Sequence, residues 1–216
     1  MGHGAKDYLF KNSLWEDSTR IPMLIRAPGV STAGQTSKQP VSLIDLYPTL
    51  VDLCELKGDT QKNDQGAPLD GYSMRPLLAN PSTAQWAGPE GALTMRFAGP
   101  KNNYVPAMQH WAYRTERYRY IHYNNGKEEL YDHHNDPNEW TNLASKPEYK
   151  ALKAQYKEAI FSQLPGKAES ARIAQSLQAK QANTWKASYL KKHPEADANR
   201  DGVLSWPELN AHQKSK

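Results

Sequence analysis

The chain has 216 residues, of which 38% are hydrophobic and 23% charged, enough for one domain or one plus a small appendage. Its net charge of +4 rests on scattered Lys and Arg, without the clustered basic face that a nucleic-acid partner requires. No apolar run approaches the roughly 20 residues of a membrane span, and the start at Met1-Gly2-His3-Gly4 lacks the apolar segment of a signal peptide.

Tyr8–Thr19 reads as a polar and aromatic loop. Arg20–Arg26 is a short apolar run ending in the turn signal Ala27-Pro28-Gly29. Its unbroken apolarity predicts a strand covered on both faces, as in the sheet of an α/β fold. Pro22 is tolerable near its beginning. Val30–Gln39 is a loop by composition. Asp45–Leu56 has helical spacing, with Leu46, Leu50 and Leu53 on one face and Asp45 as the expected cap. Cys54, the chain's single cysteine, cannot form an internal disulfide and is expected to be a small buried hydrophobe.

From Ala92 the pattern turns to strands: Ala92–Phe97, His110–Thr115, Arg117–Tyr123 and, after the hairpin signal Asn124-Asn125-Gly126, Lys127–Tyr131. They predict a small antiparallel sheet whose tyrosines at 113, 118, 120, 123 and 131 build its packing face. Glu148–Leu164 reads as an amphipathic helix with Tyr149, Leu152, Tyr156, Ile160 and Leu164 at near-helical spacing, stopped by Pro165-Gly166. Lys167–Lys192 is Ala/Gln/Lys-rich and helical, with a weaker apolar face.

Residues 197–208 match the twelve-residue calcium loop of an EF-hand. Asp197, Asn199, Asp201 and Ser205 place side-chain oxygens at positions one, three, five and nine; Val203 offers a backbone carbonyl at seven. Gly202 stands at the sharp turn, and Glu208 at twelve can bind Ca²⁺ bidentately. Pro194 is expected to break the entering helix before the loop. A single loop of this kind suits a structural site rather than a sensor. It also supports an alternative function for the chain, as a non-enzymatic calcium-binding interaction module.

Four blocks then carry a resemblance. Lys11–Gly29, with Trp15-Glu16-Asp17, Arg20-Ile21-Pro22 and Pro28-Gly29, is followed by Val41–Leu50 with its Asp45 and Pro48-Thr49-Leu50. Next come Leu69–Leu78 with Asp70-Gly71, and Tyr118–Ile121 with Glu129–Asp132 and Asp136–Ala144. In this order they resemble the back portion of formylglycine-dependent sulfatases, most of all the iduronate-2-sulfatase-like subgroup, from about Lys6 to Pro165.

The resemblance implies an α/β architecture: the C-terminal part of an alkaline-phosphatase-like fold. Residues 1–90 would be a remnant of the large sheet domain, 91–165 the small antiparallel sheet with its helix, and 166–216 a helical tail with the calcium loop. It implies a sulfuric ester hydrolase acting on sulfated carbohydrate, periplasmic or secreted. A phosphodiesterase or phosphatase of the same superfamily is the other enzymatic reading. By position Lys11 would contact the sulfate, with Lys6 the runner-up. His3 is a weaker candidate metal ligand. His110 is a candidate substrate contact, while His133, His134 and Arg114 read as surface residues, and His122 as facing solvent. The Cys/Ser-x-Pro-x-Arg motif that yields formylglycine is absent, since Cys54 is followed by Glu55-Leu56-Lys57-Gly58. The motif and most ligands of the active-site Ca²⁺ would lie before Met1, so the chain alone is expected to be inactive.

Overall fold

The computed structural model describes residues 12–57, 68–82, 85–99, 105–165 and 167–214. Lys11, Lys6 and His3 lie outside them. In chain order the main elements are α1 (Glu16–Thr19), α2 (Leu46–Leu53), α3 (Arg75–Ala79), β1 (Ala92–Arg96), β2 (His110–Arg114), β3 (Tyr118–His122), β4 (Glu128–Asp132), α4 (Lys150–Ser162), α5 (Lys167–Lys192) and α6 (Trp206–Lys214). They fall into two units: Met1–Phe97 with His110–Gln163, and Ala98–Gln109 with Leu164–Lys216.

The first unit is built on a meander, β1-β2-β3-β4, with every neighbouring pair antiparallel. The last hairpin closes through Tyr123 N–H to Lys127 O and Gly126 N–H to Tyr123 O, both 2.9 Å. Both faces of β3 are covered, which is why four of its five residues are buried instead of alternating. On one face Ala112, Ile121 and Tyr131 pack with Leu14 from the N-terminal segment. On the other, Tyr113, Tyr120 and Leu130 meet Tyr156 and Ile160 of α4, with the Tyr113 and Tyr156 rings 5.6 Å apart. Burying each such side chain contributes about 1.5–3 kcal/mol. Glu128 ties the helix down, accepting from the Tyr120 hydroxyl (2.6 Å) and from Lys153 (2.7 Å).

Several expectations change here. Arg20–Arg26 is extended but not a strand, because no described segment pairs with its backbone. Its Leu24 is 96% exposed. Across the 3₁₀ turn Leu43–Asp45 and α2 the buried residues are Asp45 and Thr49, while Leu43, Ile44, Tyr47 and Leu50 stay exposed. Asp45 occupies the N-cap position of α2 as expected, but its side chain makes no cap bond to that helix. It closes a capping box on the 3₁₀ turn Leu43–Asp45 by accepting the Ser42 N–H at 2.7 Å. Cys54 is exposed, because it follows the last turn of α2 on the outer side.

In the second unit α5 stops at Lys192, a 3₁₀ turn runs from Pro194 to Ala196, and α6 follows the loop. The proline ends the entering helix as expected. Ala196, Leu204 and Leu209 form a small core, with Tyr189 and Leu190 packed against it. No described helix is long and apolar enough to cross a membrane.

Candidate functional site

The segment that begins just after Lys11 is fastened to one face of the sheet. Asn12 Oδ1 accepts from Arg96 Nε at 3.2 Å. Leu14 enters the core, and its carbonyl accepts from Arg119 at 2.9 Å. Trp15 Nε1 donates to Glu129 at 2.7 Å; the hydroxyls of Tyr131 and Tyr123 donate to the same carboxylate at 2.9 and 3.0 Å.

Glu16 is the centre of the attachment. It pairs with Arg114 at 3.1 Å and, in closer contact, with Arg119, whose side chain is 2% exposed. Arg119 Nε also lies 2.6 Å from Glu139 Oε1, which His133 Nε2 approaches at 2.9 Å. The second Glu139 oxygen accepts the Glu16 backbone N–H at 2.9 Å. Two carboxylates thus face two guanidiniums. Burial pushes the Glu16 carboxyl up, but Arg119 and Arg114 outweigh it and hold the group below its ordinary value. Glu16, His133 and Glu139 bring ligand atoms within 4.8 Å of one another. With both carboxylates already held by arginines, this group works as an ion-pair network rather than a metal centre. Glu139 reaches it from a left-handed backbone, φ 58°, a strained conformation for a non-glycine residue.

Arg114 and His133 are therefore half-buried members of this network rather than free surface residues; His134 is exposed. Their local sequence does not show which way they turn: the pairing of β2 with β3 sets Arg114 opposite Arg119, and the end of β4 delivers His133. His122 is also buried, edge-on to Phe161 at 5.4 Å, and burial, then Lys157, lowers its pKa. His110 is half-buried on β2, its Nδ1 accepting from Asn124 N at 3.2 Å and its ring 5.3 Å from Tyr123. Burial, then Arg96, lowers its pKa. Tyr123 also lines a recess of about 440 Å³ with Asn125, Lys127, Glu128, Glu129 and Asn142.

Beside the network, Arg117 grips Asp132 bidentately at 2.9 and 2.7 Å, and those bonds bring its carboxyl down to about 2. Because the folded value lies below the unfolded one of about 3.9, the stabilisation is complete above pH 3.9 and disappears as pH falls through 2. Arg117 is 45% exposed, so the contribution at neutral pH is discounted for solvent screening to about 1–2 kcal/mol. Asp132→Asn should lose that amount in urea unfolding at pH 7 and almost none near pH 2.

The second and third blocks meet each other. Asp45 Oδ1 accepts Tyr72 N–H at 2.9 Å, and Thr49 Oγ1 accepts Met74 N–H at 2.8 Å while donating to Asp45 O at 2.6 Å. Asp52 takes the Ser73 hydroxyl at 2.5 Å and Arg75 at 3.1 Å. Gly71 sits so close that a Cβ would be 2.1 Å from Ile44 O.

In the second unit, Asp197 Oδ2 accepts Gly202 N–H at 2.8 Å, Asn199 Oδ1 accepts Asp201 N–H at 3.0 Å, and Asp201 Oδ1 accepts Val203 N–H at 2.7 Å. Glu208 folds back to Ser205 Oγ (2.6 Å) and Asn199 N (3.3 Å). Arg200 and Gly202 are left-handed, with φ 59° and 82°.

Over residues 4–165 the chain matches the family model described as N-sulphoglucosamine sulphohydrolase, C-terminal. It is 30% identical over 209 residues to arylsulfatase K of Gallus gallus, covering 91% of this chain and 35% of that protein. It is also 30% identical to an N-acetylglucosamine-6-O-sulfatase of Bacteroides thetaiotaomicron, covering 68% and 25%. A solved structure of a 2-O GAG sulfatase superposes with a TM-score of 0.46 at 24% identity, over 62% of this chain and 27% of that one. The chain thus spans a quarter to just over a third of these curated relatives. With the family model covering Gly4 to Pro165, the chain belongs to the sulfatase family and corresponds to its C-terminal portion.

Proposed function

We propose that this chain supplies the C-terminal portion of a sulfuric ester hydrolase acting on sulfated glycans, of the iduronate-2-sulfatase-like subgroup, in the periplasm or outside the cell. The clamp at Glu16 carries the reading. It fixes the backbone at Glu16 within the block that resembles the family's, and on this reading Lys11 at the head of that block neutralises a sulfate oxygen. A formylglycine and its Ca²⁺ supply nucleophile and Lewis acid in such a site, and the 216 residues hold no Cys/Ser-x-Pro-x-Arg motif to make one. Ile21, Leu24, Leu43, Ile44, Tyr47 and Leu50, all exposed, are the apolar surface that a larger α/β domain would cover.

The test grafts residues 4–165 onto arylsulfatase K of Gallus gallus in place of its matching stretch. The hybrid should hydrolyse 4-nitrophenyl sulfate, Lys11→Ala should lower its kcat/KM by about 10²–10³-fold, and the chain alone should be inert. Turnover by the chain alone, or indifference to Lys11→Ala, sinks the proposal.

A second role is favoured by the loop at 197–208. Asp197, Asn199, Asp201, Val203, Ser205 and Glu208 are its six ligand positions, and the left-handed Arg200 and Gly202 turn the loop as such a cage requires. On this reading the tail is a structural Ca²⁺ module with Kd about 10⁻⁴–10⁻³ M. Calorimetric titration of the whole chain with CaCl₂ should show one site that Glu208→Gln removes; no heat at millimolar Ca²⁺ would leave only a turn.

A further inference from the structure

At the base of the calcium loop, three side chains from three elements converge. His193 follows the end of α5, Glu195 lies in the 3₁₀ turn, and His212 stands in the last turn of α6. Glu195 Oε1 is 3.2 Å from His193 Nδ1 and 3.1 Å from His212 Nε2. One ligand atom from each lies within 4.8 Å of the other two. A tetrahedral ion with bonds of about 2.0–2.2 Å holds its ligand atoms about 3.3 Å apart. The carboxylate oxygen therefore already stands at ligand spacing from both nitrogens, and small ring rotations would close the third edge.

The surroundings suit a metal as well. His212 is 9% exposed, whereas Glu195 is 58% exposed and leaves the site open to entry. The Tyr189 hydroxyl is 3.1 Å from His212 Nδ1. When Nδ1–H donates to that oxygen, Nε2 turns its lone pair to Glu195, the outer-shell arrangement that orients ligating histidines. The His193 ring packs on Tyr189 at 4.7 Å, which restrains the second ligand. Two imidazoles and one carboxylate suit Zn²⁺, Ni²⁺ or Cu²⁺, whereas the hard Ca²⁺ prefers the all-oxygen loop next door.

We propose that His193, Glu195 and His212 bind a first-row transition ion, Zn²⁺ foremost, with water in the fourth position. The ion would bridge the chain two residues before Asp197 to the helix four residues after Glu208. It would thereby brace the two ends of the calcium loop around the core of Ala196, Leu204 and Leu209.

The experiment uses the full chain, stripped of metal by chelation, and titrates it with ZnCl₂ alone. One equivalent should bind; Co²⁺ in its place should give the intense visible bands of a tetrahedral ion. His193→Gln and His212→Gln should each weaken Zn²⁺ more than tenfold, and Tyr189→Phe about tenfold. Glu195→Gln should weaken Zn²⁺ while leaving any Ca²⁺ heat in place, and Glu208→Gln should do the reverse, which separates this site from the loop. Zn²⁺ binding that is absent, or unchanged in the His193→Gln/His212→Gln double variant with native circular dichroism, overturns the proposal.

Discussion

Arg119→Met should lower the unfolding free energy of the sheet unit by about 3–5 kcal/mol, measured by urea denaturation with tryptophan fluorescence. The side chain is 2% exposed and lies between Glu16 and Glu139. Its removal takes one guanidinium from both carboxylates, with His133 still beside Glu139 and Arg114 still beside Glu16. Two buried carboxylates would then face one guanidinium. A domain of this size holds roughly 5–15 kcal/mol, so the loss is a large share of its stability. The contrast lies on the surface: Lys38 and Glu116 are 3.7 Å apart and exposed, and Lys38→Met should change stability by less than about 1 kcal/mol. Equal losses in the two variants would show that the Glu16 network does not hold the N-terminal segment.

Gly71→Ala should be the second most damaging change, at about 3 kcal/mol. Replacing Gly by Ala commonly stabilises by about 0.4–1 kcal/mol, because it removes freedom from the unfolded chain. Here the sign reverses. The new Cβ would stand 2.1 Å from Ile44 O and 2.6 Å from Ile44 C, both backbone atoms that no rotamer can move aside. Overpacking costs about 1–3 kcal/mol. Pushing the two segments apart also weakens Tyr72 N–H to Asp45 and Met74 N–H to Thr49, at about 0.5–3 kcal/mol each. Amide hydrogen exchange reads this directly: Tyr72 and Met74 should lose protection while Tyr120 and Leu130 keep theirs. A stable variant with unchanged exchange would mean that the two blocks are not pressed together.

How far the sequence carries differs by region. The meander was legible to within two residues, because aromatic and β-branched runs separated by Asn-Gly chemistry are local signals. So were α4 and α5, which combine helical spacing with good helix formers. Arg20–Arg26 misleads for a physical reason: apolarity shows that a segment wants cover, whereas a strand also needs a neighbour's hydrogen-bonding groups. Leu50 and Cys54 follow the same logic, since helical spacing does not say which face is inward. At the site, Glu16 stands out in the sequence only as part of the Trp15-Glu16-Asp17 segment. Nothing in the local pattern around Arg119, His133 or Glu139 shows that they close on Glu16 from more than 100 residues away. The motif at 197–208 is the opposite case: its oxygen-bearing residues lie within twelve consecutive positions and can be read as a pattern, while calcium binding by them is the proposal made above. The His193, Glu195 and His212 cluster leaves no local pattern in the sequence, because the loop itself separates His212 from the other two.

Position 139 is left with almost no acceptable substitute. Glycine would relax the left-handed backbone but delete the carboxylate, and asparagine or aspartate would accept φ 58° but fall short of Arg119. Glutamine would reach but leave Arg114 and Arg119 with one carboxylate, Glu16, in place of two. Only glutamate combines length with charge, and it tolerates the strained backbone at a cost that the network offsets. A random-mutagenesis library selected for folded protein should therefore keep position 139 nearly fixed while its exposed neighbour Trp140 varies freely.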